Sequence, residues 1–247
     1  MHFTGDLSKS SKWELLHLKE IPYWHKAGSG IQEAFNRLKA SGKKTLHEMD
    51  TDTIEVWTST ILALAMQREQ EKIFWLGRPK KDPPDMALMT ISGKGQFLAR
   101  ELEITKCTHP NEELVSNIIK KDAENNFSEK YILCGFVDIP GTYDLISIGK
   151  DLQTKLKKIK NVVLIFNGMG IPHPSETVDV NVLRNLWTAV QISPVFNSVT
   201  LDISVEYKVW MNDPDKLRYT KNGKIYGGKQ NPSDPYPTLL ADTPLSF

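Results

Sequence analysis

Pro84-Asp85-Met86-Ala87-Leu88-Met89-Thr90-Ile91, then Ser92-Gly93-Lys94-Gly95, then Phe97-Leu98-Ala99-Arg100-Glu101-Leu102-Glu103-Ile104-Thr105-Lys106 is the stretch on which the fold turns. Two apolar runs joined by a glycine-rich connection read as a pair of antiparallel strands. Just upstream, Ile73-Phe74-Trp75-Leu76 is a further short strand, separated from the pair by the basic, breaker-rich segment Gly77-Arg78-Pro79-Lys80-Lys81-Asp82-Pro83-Pro84. Before that lies a strong helix signal. Asp52 reads as its N-cap with Glu55 as capping-box partner, and Ile54, Trp57, Ile61, Leu64 and Ala65 line one face.

Working outward, Ile31, Ala34, Phe35 and Leu38 fall at helical spacing, and Ser41-Gly42 ends that segment. On the C-terminal side, Leu114, Val115, Ile118 and Ile119 form an amphipathic helix. The continuous apolar runs 131–137 and 162–166 read as strands buried on both faces, with a helix over 143–158 between them. Leu183, Leu186, Trp187 and Val190 fit one more helix. Leu201, Ile203, Val205, Tyr207 and Val209 alternate with polar residues as a long half-exposed strand would. Antiparallel strands followed by strand–helix alternation make an α/β protein with a mixed central sheet flanked by helices. The expected organisation is a mainly helical extension over 1–50, the α/β core over 51–211, and a C-terminal hairpin and wrapping tail over 212–247.

Chemistry is carried by the acids on the central pair. Hydrolysis of a phosphodiester with a hard divalent cation needs convergent carboxylates, because Mg²⁺ takes oxygen ligands and is usually held by one or two carboxylates plus water and phosphate. Side chains opposed across an antiparallel pair lie only ~5 Å apart, so Asp85 and Glu103 can meet across the two strands. Glu101 and Thr105 share the face of Glu103, whereas Lys106 belongs to the opposite face unless a bulge re-aims it.

Pro84-Asp85, followed 18 positions later by Glu103 in an apolar strand, resembles the motif of the PD-(D/E)xK nuclease superfamily, which includes restriction endonucleases, Holliday-junction resolvases and phage-defence nucleases. The element order resembles that family's core (a helix, a three-stranded meander, a helix and further strands) from Asp52 to Val209. The resemblance implies a restriction-endonuclease-like fold and a Mg²⁺- or Mn²⁺-dependent endonuclease acting on nucleic acid, DNA first. It implies Asp85 and Glu103 as metal ligands, with Glu101 as a further candidate and Glu55 matching the acid that the family's leading helix often brings. The family's lysine normally lies two residues after the second acid. Here that position is Thr105, which leaves Glu101, Thr105 or Lys106 to help position water. The displaced lysine keeps a second reading open: a catalytically degenerate nuclease-fold subunit that binds nucleic acid or protein. An unrelated mixed α/β domain is the third.

Three basic clusters could meet phosphates. Arg78, Lys80 and Lys81 lie just upstream of Asp85, and Lys155, Lys157, Lys158 and Lys160 follow a helix. Lys221 and Lys224 flank Asn222-Gly223, a two-residue hairpin signal set among aromatics. The second cluster is equally a solvated helix end, and the third equally a lysine-protected strand edge. A homodimer or a larger defence or repair assembly stays open.

Other chemistries lack their motifs. The chain holds no phosphate-binding loop, dinucleotide fingerprint or nucleophile elbow, and its two cysteines and six histidines show no zinc spacing. With 247 residues, 40% of them hydrophobic and 25% charged, it can bury a large core. A net charge of +1 requires any nucleic-acid site to come from local clustering. Cys107 and Cys134 in apolar runs point to reduced thiols. With no ~20-residue apolar span and a polar start from Met1 to Lys12, the expectation is a soluble cytoplasmic protein without membrane contact.

Overall fold

The computed structural model describes residues 24–42, 49–79, 84–91, 97–107, 112–124, 131–137, 145–168, 185–194, 196–212, 219–221 and 224–226. Its centre is a mixed sheet of eight strands whose order across the sheet follows the chain: β1 (Trp24–Lys26), β2 (Phe74–Gly77), β3 (Met86–Ile91), β4 (Phe97–Cys107), β5 (Ile132–Val137), β6 (Asn161–Asn167), β7 (Leu186–Ser193) and β8 (Asn197–Asp202). Neighbours are antiparallel throughout except for β4–β5 and β5–β6, which are parallel. Parallel neighbours require a crossover. The chain supplies α3 (Glu112–Ala123) between β4 and β5, and α4 (Leu145–Lys155) between β5 and β6. A separate hairpin pairs β9 (Tyr219–Lys221) with β10 (Lys224–Tyr226) across 222–223, where the Asn-Gly signal falls.

Two helical layers sandwich the sheet. On one face lie α1 (Ala27–Ala40), α2 (Thr51–Gln70) and α5 (Ile203–Asn212), and the sheet curls round α2, which touches every strand from β2 to β8. Squeezed between α1 and the sheet, α2 is buried on nearly its whole circumference from Thr53 to Met66 rather than along one stripe. The hydroxyls of Ser59 and Thr60 donate back to carbonyls one turn earlier, which satisfies them inside this apolar layer. Trp57 packs edge-on against Trp187, which stacks on Phe136, and this aromatic column joins α2 to β7 and β5. On the other face Ile118, Leu133, Ile148, Leu152, Leu164 and Ile192 close a second core under α3 and α4.

Three local readings are corrected. The N-cap of α2 is Asp50, whose carboxylate accepts from the Thr53 amide at 2.7 Å, and not Asp52, which lies within the first turn. Leu186, Trp187 and Val190 belong to strand β7 and not to a helix. Trp187 and Ala189 enter one core and Val190 and Ile192 the other, so burial on both faces produced an apolar run that also fits helical spacing. The alternation from Leu201 to Val209 does not continue as strand. Asp202 caps α5 by accepting from the Ser204 amide and hydroxyl and the Val205 amide. Beyond that cap, Ile203 is buried and Tyr207 packs against the α1–α2 core, donating a hydrogen bond to Gln32 of α1.

Candidate functional site

The site forms where β3 stops. Met86 is the first residue of β3 paired with β4, opposite Leu102, whereas β4 runs on to Cys107 paired only with β5 on its other side. Pro84 offers no amide to extend the ladder. Asp85 instead turns its side chain toward β4: one carboxylate oxygen accepts the Ile104 amide at 2.7 Å, capping a backbone donor that a longer β3 would have satisfied. Continuing the β3–β4 register by one residue sets Asp85 opposite Glu103.

On β4 the pleat separates two sets of side chains. Leu102 and Ile104 pack toward α2, so Glu101, Glu103 and Thr105 face the α3 layer. Pairing with β5 is regular from Leu102 to Cys107, with no bulge to re-aim Lys106, which stays on the Ile104 face. Glu101 and Glu103 are only 5% and 4% exposed, so the strand face that carries these acids is covered rather than solvated. Buried carboxylates require compensation. Glu101 receives the Tyr131 hydroxyl; burial first, and then that carboxylate's charge and hydrogen bond, push the phenol above its ordinary range.

Glu103 is met by a residue that sequence reasoning missed. The Lys121 ammonium in the last turn of α3 donates to a Glu103 carboxylate oxygen at 2.6 Å. Burial lowers the affinity of Lys121 for its proton, but Glu103, then Glu124 and Asp85, outweigh it and leave the ammonium held above its ordinary value. Two of these three acids, Asp85 and Glu103, also act on Cys134, the buried thiol of β5, which burial first and then their charges push up. Asp85, Glu103 and Lys121 thus share one electrostatic neighbourhood. The sequence carried no sufficient signal for this contact: Lys121 follows Ile118 by three positions, at the edge of the helix's inward face, but which strand that edge covers is decided by packing.

The remaining candidates are distributed differently. Glu55, with a side chain 12% exposed, pairs with Arg78 at 3.0 Å, and Arg78 also reaches Asp52 at 3.3 Å, tying the start of α2 to the end of β2. Lys80 and Lys81 lie outside the described residues, as do the side chains of Lys221 and Lys224. Of the second basic cluster, Lys155 pairs with Asp151 and Lys158 donates to carbonyls at the end of α3, which are structural uses of those charges. Among the described residues no three His, Cys, Asp or Glu side chains form a group able to hold a metal ion, and no helix is long and apolar enough to cross a membrane. A hard cation can also be held by two carboxylates with the balance from water and phosphate, and the β3–β4 register, continued by one residue, sets Asp85 and Glu103 opposite one another. An open groove of about 570 Å³ between α3 and α4, lined by Val115, Ile119 and Ile148 with Asp151 and Lys155, is a separate and mainly apolar feature.

Comparison with protein-family models, with curated proteins and with solved structures gives no match.

Proposed function

We propose that the chain is a metal-dependent phosphodiester hydrolase acting on nucleic acid, with its centre at Asp85 and Glu103. The observation that carries this reading is the position of Asp85 at the interrupted edge of β3, its carboxylate on the Ile104 amide and its charge acting with that of Glu103 on Lys121 and Cys134. The order α2, β2–β3–β4 meander, α3 and parallel β5 supports it, because that is the order the resemblance to PD-(D/E)xK nucleases implies.

In this reading Asp85 and Glu103 hold a Mg²⁺ or Mn²⁺ ion, which when bound supplies charge to the phosphate and activates water. The protein's own contribution is positioning. The Ile104 amide orients Asp85, the α3 layer keeps bulk water from Glu103, and Tyr131 holds Glu101 beside it. Arg78, engaged with Asp52 and Glu55, and Lys80 and Lys81 of the same basic segment are the candidates for phosphate contacts.

One observation favours a second reading, a degenerate nuclease-fold subunit that binds without cutting: Lys106 lies on the face of β4 opposite Glu103. The two readings part in a cleavage assay with DNA and RNA substrates in Mg²⁺ or Mn²⁺. Asp85→Ala and Glu103→Ala should each lose cleavage by about two orders of magnitude or more while retaining nucleic acid in a low-salt shift assay, because phosphate contacts supply most of the affinity. Wild-type protein that cuts nothing beyond what Asp85→Ala cuts would sink the enzyme and leave the binding subunit.

A further inference from the structure

β8 is the last strand of the sheet, and among the described residues it is paired on one side only. An open edge is a template for another strand, and proteins blunt it with lysine, proline or a bulge. Asn197-Ser198-Val199-Thr200-Leu201-Asp202 carries neither lysine nor proline and pairs with β7 without a shift of register. The Thr188 and Thr200 hydroxyls stand 2.9 Å apart, the close approach of a non-hydrogen-bonded pair, so the Thr200 N–H and C=O point away from β7. Two groups of this edge are held by side chains, which can be exchanged for a strand. Arg68 donates to the Thr200 carbonyl at 2.9 Å, and the Ser198 amide donates to the side chain of its neighbour Asn197 at 2.8 Å.

Helix α5, which follows β8 directly, adds an apolar strip. Ile203 and Tyr207 turn inward, whereas Val205 and Val209 are 51% and 60% exposed. The charge of Arg68 acts on Glu206, so the side of α5 that bears Glu206 is the one nearest the edge. Val209 lies one turn on from Glu206, and Val205 one turn before Val209, which sets the strip beside the open strand. The strand itself is symmetric in polarity about Thr200. Val199 and Leu201 are buried, Ser198 and Thr200 are exposed, and no charged side chain falls at the centre. Turned about a two-fold axis at Thr200, β8 meets its own copy with Thr200 opposite Thr200, Val199 opposite Leu201 and Ser198 opposite Asp202. A contact of this kind is isologous and closes at two copies. Six residues of strand edge alone fall short of the ~800 Å² per partner of a standard interface, and the ten residues of α5 extend it on the same side of the molecule.

We propose that the chain forms a two-fold dimer in which β8 pairs antiparallel with β8 of a second copy, centred on Thr200, while Val205 and Val209 of the two α5 helices cover one another. Arg68 leaves the Thr200 carbonyl to the incoming strand and stays beside Glu206. The dimer is independent of the reading of Asp85 and Glu103.

Sedimentation velocity of the full chain from about 1 to 100 µM should show reversible passage from a 28.0 kDa monomer to a dimer. Thr200→Lys sets two ammoniums against each other at the axis and should weaken the dimer at least about tenfold, less so in high salt. Val209→Lys should weaken it similarly, and on a side chain already 60% exposed it keeps the test should Thr200→Lys fold poorly. Ile146→Lys, on an α4 side chain 58% exposed in the other helical layer, should leave the dimer unchanged. The register is read by crosslinking. Residues directly opposed in such a pair have Cα atoms ~5.5 Å apart, whereas the two copies of Ser198 would stand about 14 Å apart. A short bis-thiol reagent should therefore link Thr200→Cys copies and not Ser198→Cys copies, against the same native cysteines.

A wild type that stays monomeric throughout, leaving the edge to a strand of another protein, overturns the dimer. So does a dimer that Thr200→Lys and Val209→Lys leave as tight as before, or that Ile146→Lys weakens equally. Equal crosslinking of the two cysteine variants overturns the pairing centred on Thr200.

Discussion

Asp122 shows at a single residue how much one carboxylate can organise. It lies one position after Lys121, 3% exposed, yet among the described residues no cation meets it at hydrogen-bonding distance. Its oxygens accept the backbone amides of Lys157, Lys158 and Ile159 at 2.7, 2.8 and 2.6 Å, so one side chain closes the turn between α4 and β6 and anchors the end of α3 to it. Burial pushes this carboxyl up, but the three amides, with help from the Lys158 charge, bring it below the ordinary value. A depressed folded pKa contributes stability that is present above the unfolded value of about 3.9 and is lost as pH falls through the folded one. Asp122→Ala should therefore cost about 3 kcal/mol near neutral pH, since it strands buried amides. The gap between variant and wild type in urea unfolding should narrow below about pH 4. A gap independent of pH would show that the carboxylate's charge is not what matters.

Among the elements, α4 depends on one glycine for its contact with the sheet. A Cβ built on Gly149 would stand 2.8 Å from the backbone carbonyl oxygen of Ile192 in β7, a contact that no side-chain rotation can relieve. In a helix interior alanine is favoured over glycine by about 1 kcal/mol, whereas overpacking against a fixed neighbour costs about 1–3 kcal/mol. The clash should win. Gly149→Ala is expected to lower Tm by a few degrees, at about 2–4 °C per kcal/mol for a chain of this size. A raised Tm would mean that α4 can move away from β7 at little cost. Crossover α3 is fixed differently, by polar ties in its last turn: Lys121 to Glu103 and Asp122 to the α4–β6 turn. Its apolar face rests on the core shared by Leu133 and Leu164. The last turn of α3 thus both closes onto the α4–β6 turn and sets the Lys121 ammonium beside Glu103.

For the molecule as a whole, a cation held between Asp85 and Glu103 would bridge β3 and β4, two neighbours in the middle of the eight-stranded sheet. A ligand that binds only the folded chain stabilises it by about 2.7 kcal/mol at a hundredfold excess over Kd. Mn²⁺ at that level should raise the wild-type Tm by about 5–10 °C, at about 2–4 °C per kcal/mol. Asp85→Ala and Glu103→Ala should show little or no shift on adding Mn²⁺. An equal shift in all three proteins would place the ion elsewhere.

The chain's own order of residues determined much of this architecture. The strands at Met86–Ile91, Ile132–Val137 and Asn161–Asn167, the helix ending at Ser41-Gly42 and the hairpin around 222–223 were legible, because apolar runs, alternation and turn residues report the immediate neighbours of each side chain. The same local patterns misread Leu186–Ser193 and Ile203–Asn212. A strand buried on both faces loses its alternation, and the strand before α5 is ended by the Asp202 cap rather than by a change of hydrophobic period. At the site, the regular β4–β5 pairing leaves Lys106 on the alternate face of β4, as expected from the pleat alone. The burial of Glu101 and Glu103 and the arrival of Lys121 were not legible, because they depend on which layer covers that face. Glu103 and Lys121 are 18 residues apart, on a strand and on a crossover helix that folds back over it. Only the packing of α3 onto the sheet brings the two charges together.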